Sequence, residues 1–225
     1  MSSLEAARNF RRGILDSPLN PLRMVLMDGG GAAIAAGEQE AGAEFEIWLE
    51  YGGSERVLRR VAQTLQGLVR AMGVTLHPLE ENMAEEGWNR IADFAHSLAS
   101  SSAQAILLKA TLPLAASEEF MGLGAGELRK HSARYACMCQ NGVGIVYLGL
   151  VPEELSTPLV NSIARLRDAA VSLGGALVIE CAPRELKRGI DVWGLPGSDF
   201  ALMRKLKETW DPRRILSPGR FVGGL

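Results

Sequence analysis

The stretch that most constrains the fold runs from Ala105 to Ala182, where the apolar spacing marks six successive elements. Ala105–Leu114 (AILLKATLPL) is a short apolar run of strand length. Residues 116–132 then carry a helical pattern broken by Gly122, Gly124 and Gly126. Arg134–Cys139 and Gly144–Leu150 read as two strands around the turn at Gln140-Asn141-Gly142, and Asn-Gly is a strong hairpin signal. Ser156-Thr157-Pro158 opens a helix that runs to Leu173 and stops at Gly174-Gly175. Ala176–Cys181 (ALVIEC) is a last strand, ended by Pro183. Strand, helix, strand, strand, helix, strand is the split β-α-β-β-α-β, ferredoxin-like order, which closes only as an antiparallel sheet.

Upstream, the pattern is looser. Residues 3–16 form a basic helical segment that ends at Ser17-Pro18-Leu19-Asn20-Pro21, because two prolines so close cannot continue a helix. Leu22–Met27 is a strand candidate. Asp28-Gly29-Gly30-Gly31 follows it. The glycines lack the spacing of a phosphate-binding loop, so a hairpin turn is the preferred reading. Ala43–Tyr51 alternates as a half-buried strand. Residues 55–72 form a helix with Ser54 as cap and Gly73 as stop. Val74–Leu79 is expected to be a strand, near an edge because of Pro78. Residues 81–98 form a further helix, and 97–104 a polar linker. The expected class is α+β: two ferredoxin-like units sharing one antiparallel sheet with helices on one face. The expected divisions are a leader helix and linker (1–21), two halves (22–102 and 103–190), and a tail (191–225).

The tail is the most heavily punctuated stretch. Phe200, Met203, Leu206 and Trp210 fall on one face of a short helix that Ser198 can cap. Asp211-Pro212 stops it, since proline disfavours α geometry in the residue before it. Ser217-Pro218-Gly219 is a second stop, followed by Arg220-Phe221. Such a segment is expected to dock by a buried face rather than fray.

The bulk properties remove several function classes. The chain has 225 residues, 47% of them hydrophobic, and a net charge of −2. No basic block suggests nucleic acid or an anionic membrane. No apolar run approaches the roughly 20 residues of a membrane helix, and the N-terminus lacks a secretory apolar core. Three cysteines, Cys137, Cys139 and Cys181, fit reduced thiols and a cytoplasmic setting. Cys137 and Cys139 share one side of a strand with no ligand histidine nearby, and His77, His96 and His131 lack ligand spacing, so no metal site is expected.

Trp193-Gly194, Leu202-Met203, Leu206-Lys207, Asp211-Pro212 and Ser217-Pro218-Gly219-Arg220-Phe221 together resemble the C-terminal signature of FAD-linked oxidases of the vanillyl-alcohol oxidase type. The pattern is most similar to the FAD-binding E subunit of glycolate oxidase. Ser17-Pro18, Pro21-Leu22, Leu49-Glu50, Gly53-Ser54, Trp88, Lys109 and Pro113 follow in that family's order. Three positions depart from it: Trp210 stands for a phenylalanine, Ser217 for an asparagine and Lys109 for an arginine.

The resemblance implies a cap, or substrate, domain of an FAD-dependent 2-hydroxy acid oxidoreductase. The family's FAD lies mainly in a preceding domain with its own glycine-rich loop, and the chain starts near where the cap begins. The expected cofactor is therefore FAD in an assembled complex, with none held by this chain alone. The expected partners are an FAD-binding domain or subunit, an iron–sulfur subunit, or a second copy. An alternative is a non-catalytic interaction or small-ligand-binding module on the same fold.

A hydroxy acid's carboxylate suits a cationic side chain. Arg220 is the first candidate for contact with substrate or cofactor, against a simple ion-pair staple. Trp193 either lines an interface or is a core aromatic. Lys109, a charge in an apolar strand, either snorkels or reaches a pocket. Lys207, Asp211, Pro218, Gly219 and Phe221 are expected to dock the tail, with local pairing of Lys207 and Asp211. No catalytic residue is assigned.

Overall fold

The computed structural model describes residues 1–38, 43–132 and 134–225. Six strands form one antiparallel sheet: β1 (Arg23–Asp28), β2 (Phe45–Glu50), β3 (Ile106–Thr111), β4 (Arg134–Gln140), β5 (Ile145–Val151) and β6 (Ala176–Cys181). Their spatial order is β2-β1-β4-β5-β3-β6. Within residues 103–190 the order β4-β5-β3-β6, with helix α6 (Ser117–Leu128) after β3 and α7 (Thr157–Ser172) after β5, completes a ferredoxin-like unit. The β4–β5 hairpin turns through Asn141–Gly144, with Gly144 at φ 71°, so the Asn-Gly signal marks a four-residue loop.

The first half departs from the expected second ferredoxin-like unit. Among the described residues it supplies β1 and β2, which extend the sheet beyond β4. Residues 74–79 form no strand. Pro78 lacks a ladder donor, the segment is mostly exposed, and both sheet edges are already taken by β2 and β6. The helix expected over 81–98 breaks at Asp93 into α4 (Glu81–Ala92) and α5 (Phe94–Ser101). The helices also lie on both faces rather than one. On the first face, α6 and α7 cover Leu108, Cys137, Cys139, Leu148 and Leu177. Its far end carries α1 (Leu4–Leu15) and α3 (Glu55–Met72), whose Phe10, Ile14 and Leu65 meet Met24, Ile47 and Leu49. Under the second face, α2 (Gly29–Ala36), α4 and α5 pack on Val25, Met27, Leu107 and Met138. Fully burying a side chain such as Leu148 contributes about 2 kcal/mol.

The Gly29-Gly30-Gly31 run is the start of α2, not a hairpin turn. Glycine is a poor helix former, but here the helix must lie against the backbone of β4. A Cβ on Gly30 would sit 2.1 Å from the Tyr135 carbonyl oxygen, and one on Gly31 2.5 Å from that of Cys137. Asp28 ends β1 and caps this helix. Its Oδ1 accepts from the Gly31 N–H at 2.9 Å and the Cys137 N–H at 2.7 Å, and Arg129 pairs with Oδ2 at 3.2 Å. Burial of this carboxylate outweighs those bonds and pushes its pKa up.

Two ion-paired clusters tie the helices together. Glu118 of α6, nearly buried, accepts Arg11 by two guanidinium nitrogens and Arg8 at 3.4 Å, which fixes α1 to α6. Arg165 of α7 forks onto Glu127 of α6 at 3.2 and 2.7 Å, and its hydrogen bonds hold the Glu127 carboxyl down at about 2.

Candidate functional sites at the tail and on the open sheet face

After β6 the chain forms α8 (Arg184–Gly189), a short helix that sequence patterning missed. Val192 then runs beside the β6 edge, its carbonyl accepting from the Ile179 N–H at 2.8 Å. From here the tail leaves the core. Helix α9 (Phe200–Trp210) forms where its period requires, but Asp199 rather than Ser198 stands at its start and no residue of the helix is buried. The expected buried face of this helix is therefore uncovered in the folded chain. Amphipathic spacing shows that a helix has an apolar side, not that this chain covers it.

Instead of packing on the sheet, the tail packs on itself. Asp211, only 4% exposed, is its centre. Lys207, one turn earlier, reaches Asp211 Oδ2 at 2.7 Å and also donates to the Leu216 carbonyl at 2.5 Å. The Ile215 and Leu216 N–H groups donate to the two Asp211 oxygens at 2.9 and 3.0 Å. The carboxylate is enclosed by its own loop, although that loop stands at the surface of the molecule. The Lys207 ammonium holds the Asp211 carboxyl below its usual pKa. Arg214 and Ser217 have φ of 50° and 46°, the two non-glycine residues with positive φ among those described. Such backbone costs about 1–2 kcal/mol at each position. The Asp211 bonds to the Ile215 and Leu216 N–H groups lie between the two and offset that cost.

Pro218 and Gly219 (φ 70°) complete a turn in which the Arg220 N–H donates to the Ser217 carbonyl at 3.2 Å. Trp193 closes the tail onto the core side. Its indole N–H donates to the Arg220 carbonyl at 3.1 Å, and its ring meets Phe221 edge-on with centroids 5.0 Å apart. Trp193 is thus a half-exposed staple rather than a core aromatic. No ion pair engages the Arg220 guanidinium among the described residues, so it is not the staple here. It lines an open groove of about 420 Å³ with Lys207, Leu216, Ser217, Phe221 and Leu225. The same tail segment carries further exposed apolar side chains: Leu195 at 95%, Trp210 at 76%, Leu202 and Ile215.

Lys109 is elsewhere, on the second face of the sheet beyond the cover of α5. Its ammonium lies 3.1 Å from Glu180 of β6 and 5.6 Å from the Tyr147 ring centre. The bond to Glu180 raises its pKa, so it is a cation at any physiological pH. Neither Tyr147 nor Glu180 was predictable as its neighbour. Register alone sets Lys109 beside Val178, and the irregularity between Leu107 and Leu108 leaves Glu180 as the extra residue of β6. The structure thus gathers the tail residues into one assembly and leaves Lys109 on another surface.

No metal-ligand cluster of three or more His, Cys, Asp or Glu occurs among the described residues. Cys137 and Cys139 are buried free thiols, and burial pushes Cys139 up to about 12, far from a ligating thiolate. The turn after β1 does not fit a dinucleotide phosphate either. The α2 N-terminus already holds the Asp28 carboxylate, and its glycines are pressed against β4. No helix is long and apolar enough to cross a membrane among the described residues.

A family model described as FAD linked oxidases, C-terminal domain, matches residues 1–221. Comparison with curated proteins gives no match.

Proposed function

The chain belongs to the FAD-linked oxidase C-terminal domain family, and on that premise we propose that it is the cap of a glycolate oxidase-like 2-hydroxy acid oxidoreductase. The family implies FAD in the intact enzyme and an FAD-binding domain as partner. When bound there, FAD would supply hydride acceptance. The turn after β1 does not fit the cofactor's phosphates, so the roles proposed below concern docking and substrate contact.

The observation that carries the reading is the tail. Leu195, Leu202, Trp210, Ile215, Leu216 and Phe221 stand exposed on a segment held rigid by Asp211 and Trp193. A cluster of exposed apolar side chains with a polar rim is the mark of an interaction surface. The tail is fixed in shape before anything covers it, which lowers the entropy cost of docking. We assign this surface to the FAD-bearing partner, whether domain or subunit, with Trp193 and Arg220 at its rim. An iron–sulfur subunit would complete electron transfer in the assembly, and the cytoplasm is the proposed compartment.

Lys109 is the proposed contact for the substrate carboxylate, which requires the FAD-bearing partner to reach from the tail onto this face of the sheet. A 2-hydroxy acid would exchange for Glu180 at its ammonium, with Tyr147 as the apolar wall beneath. Lysine in place of the family's arginine gives a point charge rather than a fork, and favours a small, freely rotating carboxylate.

The test is co-purification with a candidate flavoprotein subunit. Tagged chain should retain a flavin-absorbing partner and support hydroxy acid-dependent reduction of a dye. Trp210→Glu with Leu216→Glu should abolish retention. Lys109→Ala should keep it while raising the KM for the hydroxy acid about tenfold or more. If no flavoprotein is retained by the unaltered chain, the reading fails.

A further inference from the structure

The sheet end opposite β6 carries a second exposed surface that the oxidase reading does not use. Helix α3 is strongly amphipathic and packs on α1 and the end of the sheet, with a single residue, Leu65, buried. Its first half presents Arg56, Arg59 and Arg60 beside Val57 (46% exposed), along a shallow groove of about 560 Å³. The chain then turns at Gly73 and runs through exposed residues to α4. There Leu76, Leu79 and Met83 (57% exposed) stand among Glu80, Glu81, Glu85 and Glu86. One chain thus carries a basic apolar strip and an acidic apolar strip, separated by a short connection.

Internal pairing leaves a matched remainder. Arg59 is paired with Glu55, and Glu86 with Arg90, each within its own helix. Among the described residues, Arg56, Arg60, Glu81 and Glu85 have no ion partner. Arg56 and Arg60 are four apart, and so are Glu81 and Glu85. Each pair therefore projects from one side of its helix about 6 Å apart. Two helices laid side by side can match both charges at once. The two strips do not meet within the chain: α3 lies on α1 and α4 on α2.

We propose that the chain forms a two-fold dimer in which α3 of one copy docks on the 76–86 segment of its partner, and the reverse. A two-fold axis uses each strip once on each side, so both are covered and no filament results. Arg56 and Arg60 meet Glu85 and Glu81, while Val57 meets Leu79.

Sedimentation of the full chain tests this directly. Unaltered protein should sediment as a dimer at low salt and weaken at least tenfold at high salt, because the charges lie at the rim. R56E/R60E and E81R/E85R should each be monomeric, since each makes both strips the same sign. An equimolar mixture of the two should recover a dimer containing one of each, which also shows that both variants are folded. A monomeric unaltered chain, charge-reversed variants that dimerise normally, or a mixture that stays monomeric would each overturn the proposal. The experiment needs no flavoprotein, so its failure is separate from failure of the oxidase reading.

Discussion

Lys207 and Asp211 face each other at 2.7 Å one turn apart at the end of α9, and the same lysine also binds the Leu216 carbonyl beyond the proline stop. The helix end and the loop after it are therefore one object. Its shape depends on a single carboxylate that accepts from Lys207 and from two backbone N–H groups.

Replacing that carboxylate should free the tail without unfolding the domain. Asp211→Asn keeps at most one backbone acceptor and loses the ion pair. Trypsin should then cut rapidly at Arg213, Arg214 and Arg220, while the melting temperature of the rest barely moves, because α9 buries nothing. The pH dependence has a definite sign. The folded pKa of Asp211 is depressed by Lys207, so the grip is complete above the ordinary carboxylate value near 4 and is lost as pH falls below it. Protease sensitivity of the unaltered tail should rise over that range, and sensitivity of the variant should not.

Ser217 sits at φ 46° where the related signature has asparagine. Asparagine tolerates this region better than serine, because its short amide can bond locally. Ser217→Asn should stabilise the closed tail by about 0.5 kcal/mol, read as a roughly twofold slowing of backbone hydrogen exchange at Ile215 and Leu216.

Asp28 should behave in the opposite sense. Its folded pKa is raised by burial. The carboxyl is therefore easiest to keep in the fold when protonated, and stability falls as pH climbs from the ordinary Asp value through the raised one. Asp28→Asn keeps an oxygen for Gly31 and Cys137 but loses the bond to Arg129. The melting-temperature gap between the unaltered chain and this variant should therefore be widest near pH 4 and shrink toward pH 7. A gap that widens instead would mean that Arg129, not burial, sets the charge of Asp28.

Sequence patterning resolved the half built on β3 to β6 because each boundary there has a local cause: Asn141-Gly142, Ser156 to Pro158, and Gly174. It failed at Val74–Leu79, where alternation was present but both edges of the sheet were occupied by other strands. It failed at Gly29–Gly31 because local propensity opposes a helix that only contact with β4 explains. At the candidate sites, the odd charge of Lys109 was legible. Its partner Glu180 was not, since a strand irregularity has no local signature. The Lys207–Asp211 pair was legible from spacing alone, yet the loop it closes was not.

The seam between β1 and β4 has a consequence for synthesis. Val25 pairs with Gln140, so β1 and β2 leave the ribosome long before their neighbour exists. Until β4 and β5 fold into their local hairpin, one side of β1 has no partner for its main-chain donors and acceptors. The second half can assemble from near contacts and then receive β1 as a late addition. A chain halted between the halves would expose that side of β1 as an unpaired edge open to intermolecular pairing.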